Sequence, residues 1–224
     1  MQVNVKLLNP ETIKGAVEKI GRKAAISRGI KPWECEPEQA HKIGLAVISN
    51  RHWEPIRSIV TEFYVEASLA CWVQLLRHGI GTNKVGESSR YNNIARNGCV
   101  LPEKFTSNEV LLRRYMAITT AILAEYETLV EVFGVSYEDA GYILPRATIY
   151  SYNFDVSIQA LANLANLRVC AKAQQEIRGV VTEMCRQVAE VEPEFERLFV
   201  ARGKLHGVCY EEKPCGRCFE GEGK

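Results

Sequence analysis

Apolar side chains return at helical spacing through Val110, Leu111, Tyr115, Ile118, Ile122, Leu123, Tyr126, Leu129, Val130, Val132 and Phe133. A run of that period predicts a long helix, with Thr106 as its N-cap and Gly134 as its stop. Such an element must be partnered along one face, so it makes most of the second half of the chain scaffold.

Other elements follow from the same kind of reading. Residues 2–8, QVNVKLL, alternate apolar and polar side chains and predict a strand that ends at Asn9 and Pro10. Ile13, Ala16, Val17 and Ile20 then predict a helix to about Ala25. A second helix runs from Pro37 to Ser49, with Ala40, Ile43, Gly44 and Val47 on one face and proline in its first turn. SIVTEFYVE, residues 58–66, reads as a strand. Leu69, Trp72, Val73 and Leu76 then form an amphipathic helix, and residues 79–87 read as a glycine-rich loop. Ser136 starts a short helix that Pro145 ends, TIYSYNF at 148–154 is taken as irregular, and helices follow from Ser157 to Leu167 and from Ala171 to Val191.

The chemistry concentrates in QLLRHGIGTNKVGESSRY, residues 74–91. Gly79, Gly81 and Gly86 let backbone approach a ligand closely, while Arg77, His78, Lys84 and Arg90 supply donors and positive charge suited to phosphate. The turn Asn50-Arg51-His52-Trp53-Glu54-Pro55 can sandwich a flat ligand, although a core Trp beside an exposed His is the commoner arrangement. Asn163, Asn166 and Arg168 interrupt an apolar helix with amides that read a heterocycle and a guanidinium that stabilises charge on a carbonyl oxygen, unless they serve only as caps and surface groups.

Net charge limits the partners. The formal value of +1 gives no global field to attract nucleic acid, so a small nucleotide is the expected ligand. No apolar run approaches the roughly 20 residues of a membrane span, and MQVNVKLL is not a leader, so a cytoplasmic protein without membrane contact is expected. The eight cysteines are scattered and read as reduced thiols. His206, Cys209, Cys215 and Cys218 raise a zinc knuckle, but without a second C-x-x-C in a terminal, glycine-rich segment no metal is assigned.

Taken together, these residues resemble the flavin-dependent thymidylate synthases, the ThyX family, whose signature is R-H-R-x(7)-S within a longer R-H-R-x-x-S-x-N-E-x-S-x-R-Y. Here the stretch begins Arg77-His78-Gly79 and ends Glu87-Ser88-Ser89-Arg90-Tyr91. The strand SIVTEFYV, Gln74, Ile143-Leu144-Pro145, Asn166-Leu167-Arg168 and Ala173-Gln174-Gln175-Glu176-Ile177-Arg178 follow in the family's order. The resemblance implies an α+β fold, a central mostly antiparallel sheet flanked by helices, in a homotetramer with active sites between subunits. It also implies one catalytic domain over residues 1–205, followed by a Cys/Gly-rich tail over 206–224.

The implied reaction is reductive methylation of dUMP to dTMP with FAD as cofactor and methylenetetrahydrofolate and NADPH as co-substrates. By position, Gln74, Glu87, Ser88, Ser89 and Arg90 would bind dUMP. His52, Arg77, His78, Asn163 and Leu167 would bind FAD, and Arg168 would contact the uracil and act catalytically.

This chain departs from the family pattern at several of those positions. Gly79 replaces the second Arg of the signature, one extra residue precedes Ser88, and the N-E pair has no clean match. Gly141 replaces an Arg, Ser157 stands where Asn is usual, and Lys172 where His or Arg is frequent. Two alternatives therefore stand beside the synthase. One is a related flavin-dependent C5 one-carbon transferase with a shifted pyrimidine nucleotide. The other is a non-catalytic nucleotide-binding protein of the same fold.

Overall fold

The computed structural model describes residues 4–216. Four strands, β1 (Asn4–Leu7), β2 (Val60–Ser68), β3 (Thr82–Gly86) and β4 (Ile149–Ser157), form a sheet in the order β1-β2-β4-β3. Its pairings are antiparallel. Ile158 N–H reaches Ile59 O at 2.9 Å and Leu69 N–H reaches Thr148 O at 2.9 Å, so one partner's number falls as the other's rises. Helices flank the sheet, and the α+β class expected from the family resemblance is the one observed.

Strand period explains which face is covered. Along β2, Thr61, Phe63, Val65 and Ala67 are buried, while their neighbours are more accessible. Tyr152, Phe154 and Val156 do the same along β4. Residues 148–154 were expected to be irregular, and the structure corrects this to strand. Ser151, Asn153 and Asp155 alternate with that buried set and lie on the opposite side of the pleat. The loop expected over 79–87 is corrected too. Its Thr-Asn-Lys-Val-Gly segment becomes β3, an edge strand made by pairing with β4 rather than by its own propensity.

The longer helices are α1 (Ala16–Ala25), α2 (Pro37–Ser49), α3 (Leu69–Leu76), α4 (Glu109–Glu131), α5 (Ile158–Arg168) and α6 (Gln175–Val191). The bounds of α2 agree with the sequence reading, while α1 is separated from the turn at Pro10–Ile13 by Gly15, at φ 69°. Ser68, Ser157 and Gln174 cap α3, α5 and α6 through side-chain oxygens. Thr106 does not cap α4. It ends a separate turn, Glu103–Thr106, and Asn108 Oδ1 accepts instead from Val110 N–H at 3.0 Å and Leu111 N–H at 3.1 Å.

The chain divides into two compact units. The first comprises Asn4, Val65–Arg77 and Lys84–Asn153. Here Tyr126 of α4 is fully buried with Ala95 and Ala140, packed by Leu123, Leu129, Val130 and Leu144. Val110 and Ile118 on the same helix remain 66% and 62% exposed, an apolar surface left without a partner in the monomer.

The second unit comprises Val5–Tyr64, His78–Asn83 and residues 154–216. Ile13, Ile20, Ile48, Ile56, Ile158, Leu161, Val181, Met184 and Phe195 are among its buried side chains. α1 and α2 approach so closely that a Cβ on Gly21 would overlap the Ala40 carbonyl, and one on Gly44 would overlap the Val17 carbonyl. All described cysteines are free thiols, and burial pushes the Cys185 thiol far above its ordinary range. Cys218 lies outside the described residues. Among those described, no helix is long and apolar enough to cross a membrane, and no group of three or more His, Cys, Asp or Glu residues could hold a metal ion.

The α1–α2 contact yields a prediction. Gly44→Ala places a methyl group against helix backbone, which cannot move aside as a side chain can. A loss of about 2 to 3 kcal/mol in urea unfolding is expected, with little change for Gly141→Ala, where nothing lies within 4 Å.

Candidate functional site

Two groups of the expected site residues lie in different units, and each is built by its own local structure. In the second unit, α5 starts at Ser157, whose Oγ accepts from Ala160 N–H at 3.2 Å. The same residue's N–H donates to Gly81 O at 3.0 Å. A Cβ on Gly81 would sit 2.9 Å from Ser157 Oγ and 3.0 Å from Ala160 Cβ, and its φ is 73°. Only glycine meets both demands without strain. Thr82 Oγ1 donates to His78 O at 2.6 Å, closing the short loop between α3 and β3.

The consequence appears at the other end of α5. Arg168 occupies the last turn, where a cation opposes the negative end of the helix dipole. Its Nε donates to His78 Nε2 at 3.0 Å. The structure thus brings together two expected site residues ninety positions apart in sequence. An imidazole that accepts at Nε2 has its proton on Nδ1, so the pair describes neutral His78 beside a guanidinium.

Asn163 and Gly81 line one cavity of about 660 Å³, together with Ile80, Thr82, Asp155 and Gln159. Ile80 is 95% exposed, so the mouth is apolar while amides and Asp155 supply polar edges. Asn83 Nδ2 donates to Asp155 Oδ2 at 3.2 Å and fixes that edge. Leu167 is exposed beside Asn166, whose Oδ1 is buried without a hydrogen-bond partner.

His52 does not share this cavity. It borders a second one of about 720 Å³ between the ends of α1 and α2. Its turn is strained: Arg51 has φ 54°, Arg51 Nη2 donates to Arg197 O at 3.0 Å, and the guanidinium stacks 5.8 Å from the Trp53 ring centre. Burial lowers the Arg51 pKa from its ordinary value.

In the first unit, Gln74 Nε2 donates to Ala70 O one helical turn earlier, at 3.2 Å, and Arg77 caps the exposed end of α3. Ser88 organises the expected nucleotide turn, because its Oγ accepts from Arg90 N–H at 3.3 Å and its carbonyl accepts from Asn92 N–H at 3.2 Å. Ser89 is half-buried beside it. Arg90 Nε lies 3.0 Å from Glu138 Oε2, with both side chains more than half exposed. A pair so exposed is weak enough to exchange for a phosphate. Glu87 is held by Asn97, whose Nδ2 donates to Oε2 at 2.8 Å and to Ile149 O at 3.1 Å.

Some contacts of this unit escaped the sequence reading. Trp72 and Tyr152 stack at 4.0 Å, and a Cβ on Gly86 would lie 3.4 Å from the Trp72 ring. Burial, and then the charge of Glu87, raise the Tyr150 pKa above its ordinary value. Asn93 is 9% exposed, and neither end of its amide has a partner. Only the strand alternation around Tyr150 and Tyr152 carried a signal in the sequence. Nothing local distinguished Asn93 from a surface turn residue.

These features define a four-stranded antiparallel α+β protein whose polar side chains converge at helix ends and loop edges. Solved structures share that fold. A UMP/dUMP methylase PolB from Streptomyces cacaoi bound with 5-Br dUMP superposes with a TM-score of 0.71, at 19% identity over 88% of this chain and 94% of that one. Thymidylate Synthase X from Helicobacter pylori with FAD and dUMP gives 0.64, at 16% identity over 88% and 97%.

Sequence comparison supplies the family. Residues 12–194 match the family described as Thymidylate synthase complementing protein. The flavin-dependent thymidylate synthase of Pyrobaculum aerophilum is 31% identical over 182 residues, covering 78% of this chain and 69% of the relative. That of Thermococcus onnurineus is 29% identical over 181 residues, 79% and 71% of the two chains. This chain belongs to the thymidylate synthase complementing protein family.

The histidine–arginine contact gives a spectroscopic prediction. Long-range proton–nitrogen correlation at neutral pH should show His78 Nε2 as the unprotonated ring nitrogen, and Arg168→Ala should shift the population toward the other tautomer. Nε2 protonated in the unaltered protein would contradict the contact.

Proposed function

We propose that this protein is a flavin-dependent thymidylate synthase that methylates C5 of dUMP, with FAD as cofactor and methylenetetrahydrofolate and NADPH as carbon and electron donors. The contact that carries this reading is Arg168 Nε to His78 Nε2, which joins the residue expected at the uracil to the residue expected at the flavin. Arg168 places its cation against the uracil carbonyl oxygen, where negative charge grows as C5 becomes nucleophilic. His78 holds that guanidinium in one orientation.

The residues fit a flavin. The amide-edged cavity at Asn163 has an apolar mouth at Ile80, and the buried Asn166 Oδ1 lacks a donor. An isoalloxazine offers both a ring face and an N–H group to such a set. Asn163, His78, Arg77 and Leu167 would hold the FAD, with His52 meeting a different part of it from the separate cavity that it borders, and the FAD when bound supplies the reducing electrons for the transferred carbon. Ser88, Ser89 and Arg90 bind the phosphate of dUMP, Arg90 by leaving Glu138, while Gln74 and Glu87 contact its nucleoside.

The assembly belongs to the same proposal. Leu111 and Ile118, seven residues apart on α4, and Val132, fourteen further on just beyond it, form an apolar stripe that Glu125 interrupts and are 42%, 62% and 72% exposed. A second copy of this helix covers such a stripe, and a homotetramer would place active sites between subunits. Ile118→Glu is expected to reduce the mass measured by light scattering to that of a smaller species. An unchanged mass would place the subunit contact elsewhere.

A second reading, a shifted pyrimidine nucleotide, rests on Gly141. The family arginine is absent there, and the space around the glycine is open. Comparing dUMP with UMP in thermal shift and turnover decides between them.

For the first reading, the protein as purified should absorb as a flavoprotein and convert dUMP to dTMP. Arg168→Ala should lower kcat by about a hundredfold to a thousandfold. A colourless protein that binds no added FAD would overturn it.

A further inference from the structure

The turn after α5 and the stretch after the short helix Arg202–His206 carry three cysteines that the proposed reaction does not use. Cys170 borders two small cavities. One, of about 310 Å³, it shares with Cys215, Arg178 and Lys204. The other, of about 180 Å³, it shares with Cys209, Arg202, Tyr210 and Glu211. All three cysteines are free thiols and partly accessible. Among the described residues these thiols meet in pairs, and no group able to hold a metal ion forms. The chemistry open to a pair of thiols is exchange with a disulfide.

Charge distinguishes the two cavities. Beside Cys215, Arg178 Nη1 donates to Ala171 O at 2.8 Å, which holds the turn around Cys170 while the guanidinium keeps further donors. Lys204 has neither an ion pair nor a side-chain hydrogen bond among the described residues. Beside Cys209, Glu211 supplies a carboxylate, and Arg202 lies over the Tyr210 ring, 4.1 Å from its centre. An anionic reagent is therefore drawn to the Cys215 side. The backbone permits a bridge there. Neither Cys170 nor Cys215 lies in a helix or strand, and Gly216 has φ 79° with open space around it. Two irregular segments that border one cavity can adjust to the Cα separation of about 4.4 to 6.8 Å that a disulfide requires without breaking a regular element.

We propose that Cys170 and Cys215 form an exchange site for a small disulfide that carries carboxylates, and that the bridge left between them reversibly inhibits the enzyme. The Cys170 thiolate attacks one sulfur of R–S–S–R, forming a mixed disulfide and releasing one thiolate. The Cys215 thiolate then attacks the Cys170 sulfur and expels the second. Two protein thiols are oxidised, one small disulfide is reduced to two thiols, and the protons lost by the cysteines end on those products. A dithiol reverses both steps. Arg168 is the last residue of α5 and Cys170 follows two positions later, so the bridge pulls on the helix end whose guanidinium meets His78. The effect on turnover rests on the proposed function, whereas formation of the bridge does not.

The test treats the full-length, reduced protein with oxidised glutathione in the absence of oxygen. Peptide mapping without reductant should find Cys170 joined to Cys215, with an intact mass lower by two hydrogens. In Cys215→Ser the reaction should stop at Cys170 with one glutathione attached. Oxidised glutathione should react about tenfold faster than its methyl ester, whose carboxylates are neutralised, and Lys204→Gln should narrow that preference while Lys204→Arg keeps it. Cys170 paired with Cys209 or Cys218, Cys170 unmodified in Cys215→Ser, or equal rates for acid and ester overturns the site.

Inhibition is read separately. The bridged protein should lose kcat by about tenfold or more and regain it with dithiothreitol, and Cys170→Ser should keep its kcat through the same treatment. A bridged protein with unchanged kcat overturns the inhibition and leaves the exchange site and the proposed function standing. If the reduced protein makes no dTMP, the proposed function fails, and the coupling is judged from the Arg168 Nε–H resonance. Bridging should move that signal and dithiothreitol should restore it; an unmoved signal overturns the coupling.

Discussion

The second unit depends on one close approach, the packing of Gly81 against the first turn of α5. No side chain fits between that backbone and Ser157, and the positive φ removes any preference for a larger residue. Ser157 therefore serves three neighbours at once. Its N–H ties the loop to β4, its Oγ caps the helix, and its small size leaves room for the glycine. The family's usual Asn at this position is replaced, and the residue present is occupied in holding the scaffold. Because helix and loop are seated together, His78 and Arg168 meet, although the loop and the helix end belong to separate stretches of chain.

A comparable constraint shapes the N-terminal helices. Gly21 and Gly44 bring backbones of α1 and α2 into direct apposition, a geometry that larger residues forbid. The ends of those helices then diverge around the His52 cavity, where the strained Arg51 turn supplies the opposite wall. Rigid packing on one side and a strained turn on the other hold the residues of that rim at fixed positions. In the first unit the comparable task falls to hydrogen bonds. Ser88 folds its own turn and Asn97 holds Glu87, so the segment after β3 is held by its own hydrogen bonds.

Several polar groups contribute little to stability. Arg90 and Glu138 meet at the surface, where water screens them. Burial, and then the charge of Glu87, raise the pKa of Tyr150 further above its ordinary value. Asn93 and Asn166 carry buried amide atoms without partners, a cost that structures tolerate where a ligand completes the bonding.

Much was legible from sequence where the signal is local. The helix Pro37–Ser49 follows from apolar period and proline, α3 and α5 from the spacing of their apolar residues, and the α+β class from motif order across the chain. The donor-rich stretch 74–91 was visible by composition. Local reading failed where the decisive partner is distant. β3 looks like a loop because Thr-Asn-Lys-Val-Gly has little strand propensity, and it exists through its ladder to β4. Thr106 and Asn108 are both good caps, and only the turn at Glu103–Thr106 determines which of them starts α4. Sequence by itself therefore determined the family, the α+β class and the period of the helices that build it. The tertiary structure alone decided that His78 meets Arg168, that His52 and Asn163 border different cavities, and that Cys170 and Cys215 share a third. The reason is physical: residue type and period act over a few neighbours, whereas those contacts are made by elements that find one another only when the chain buries its core.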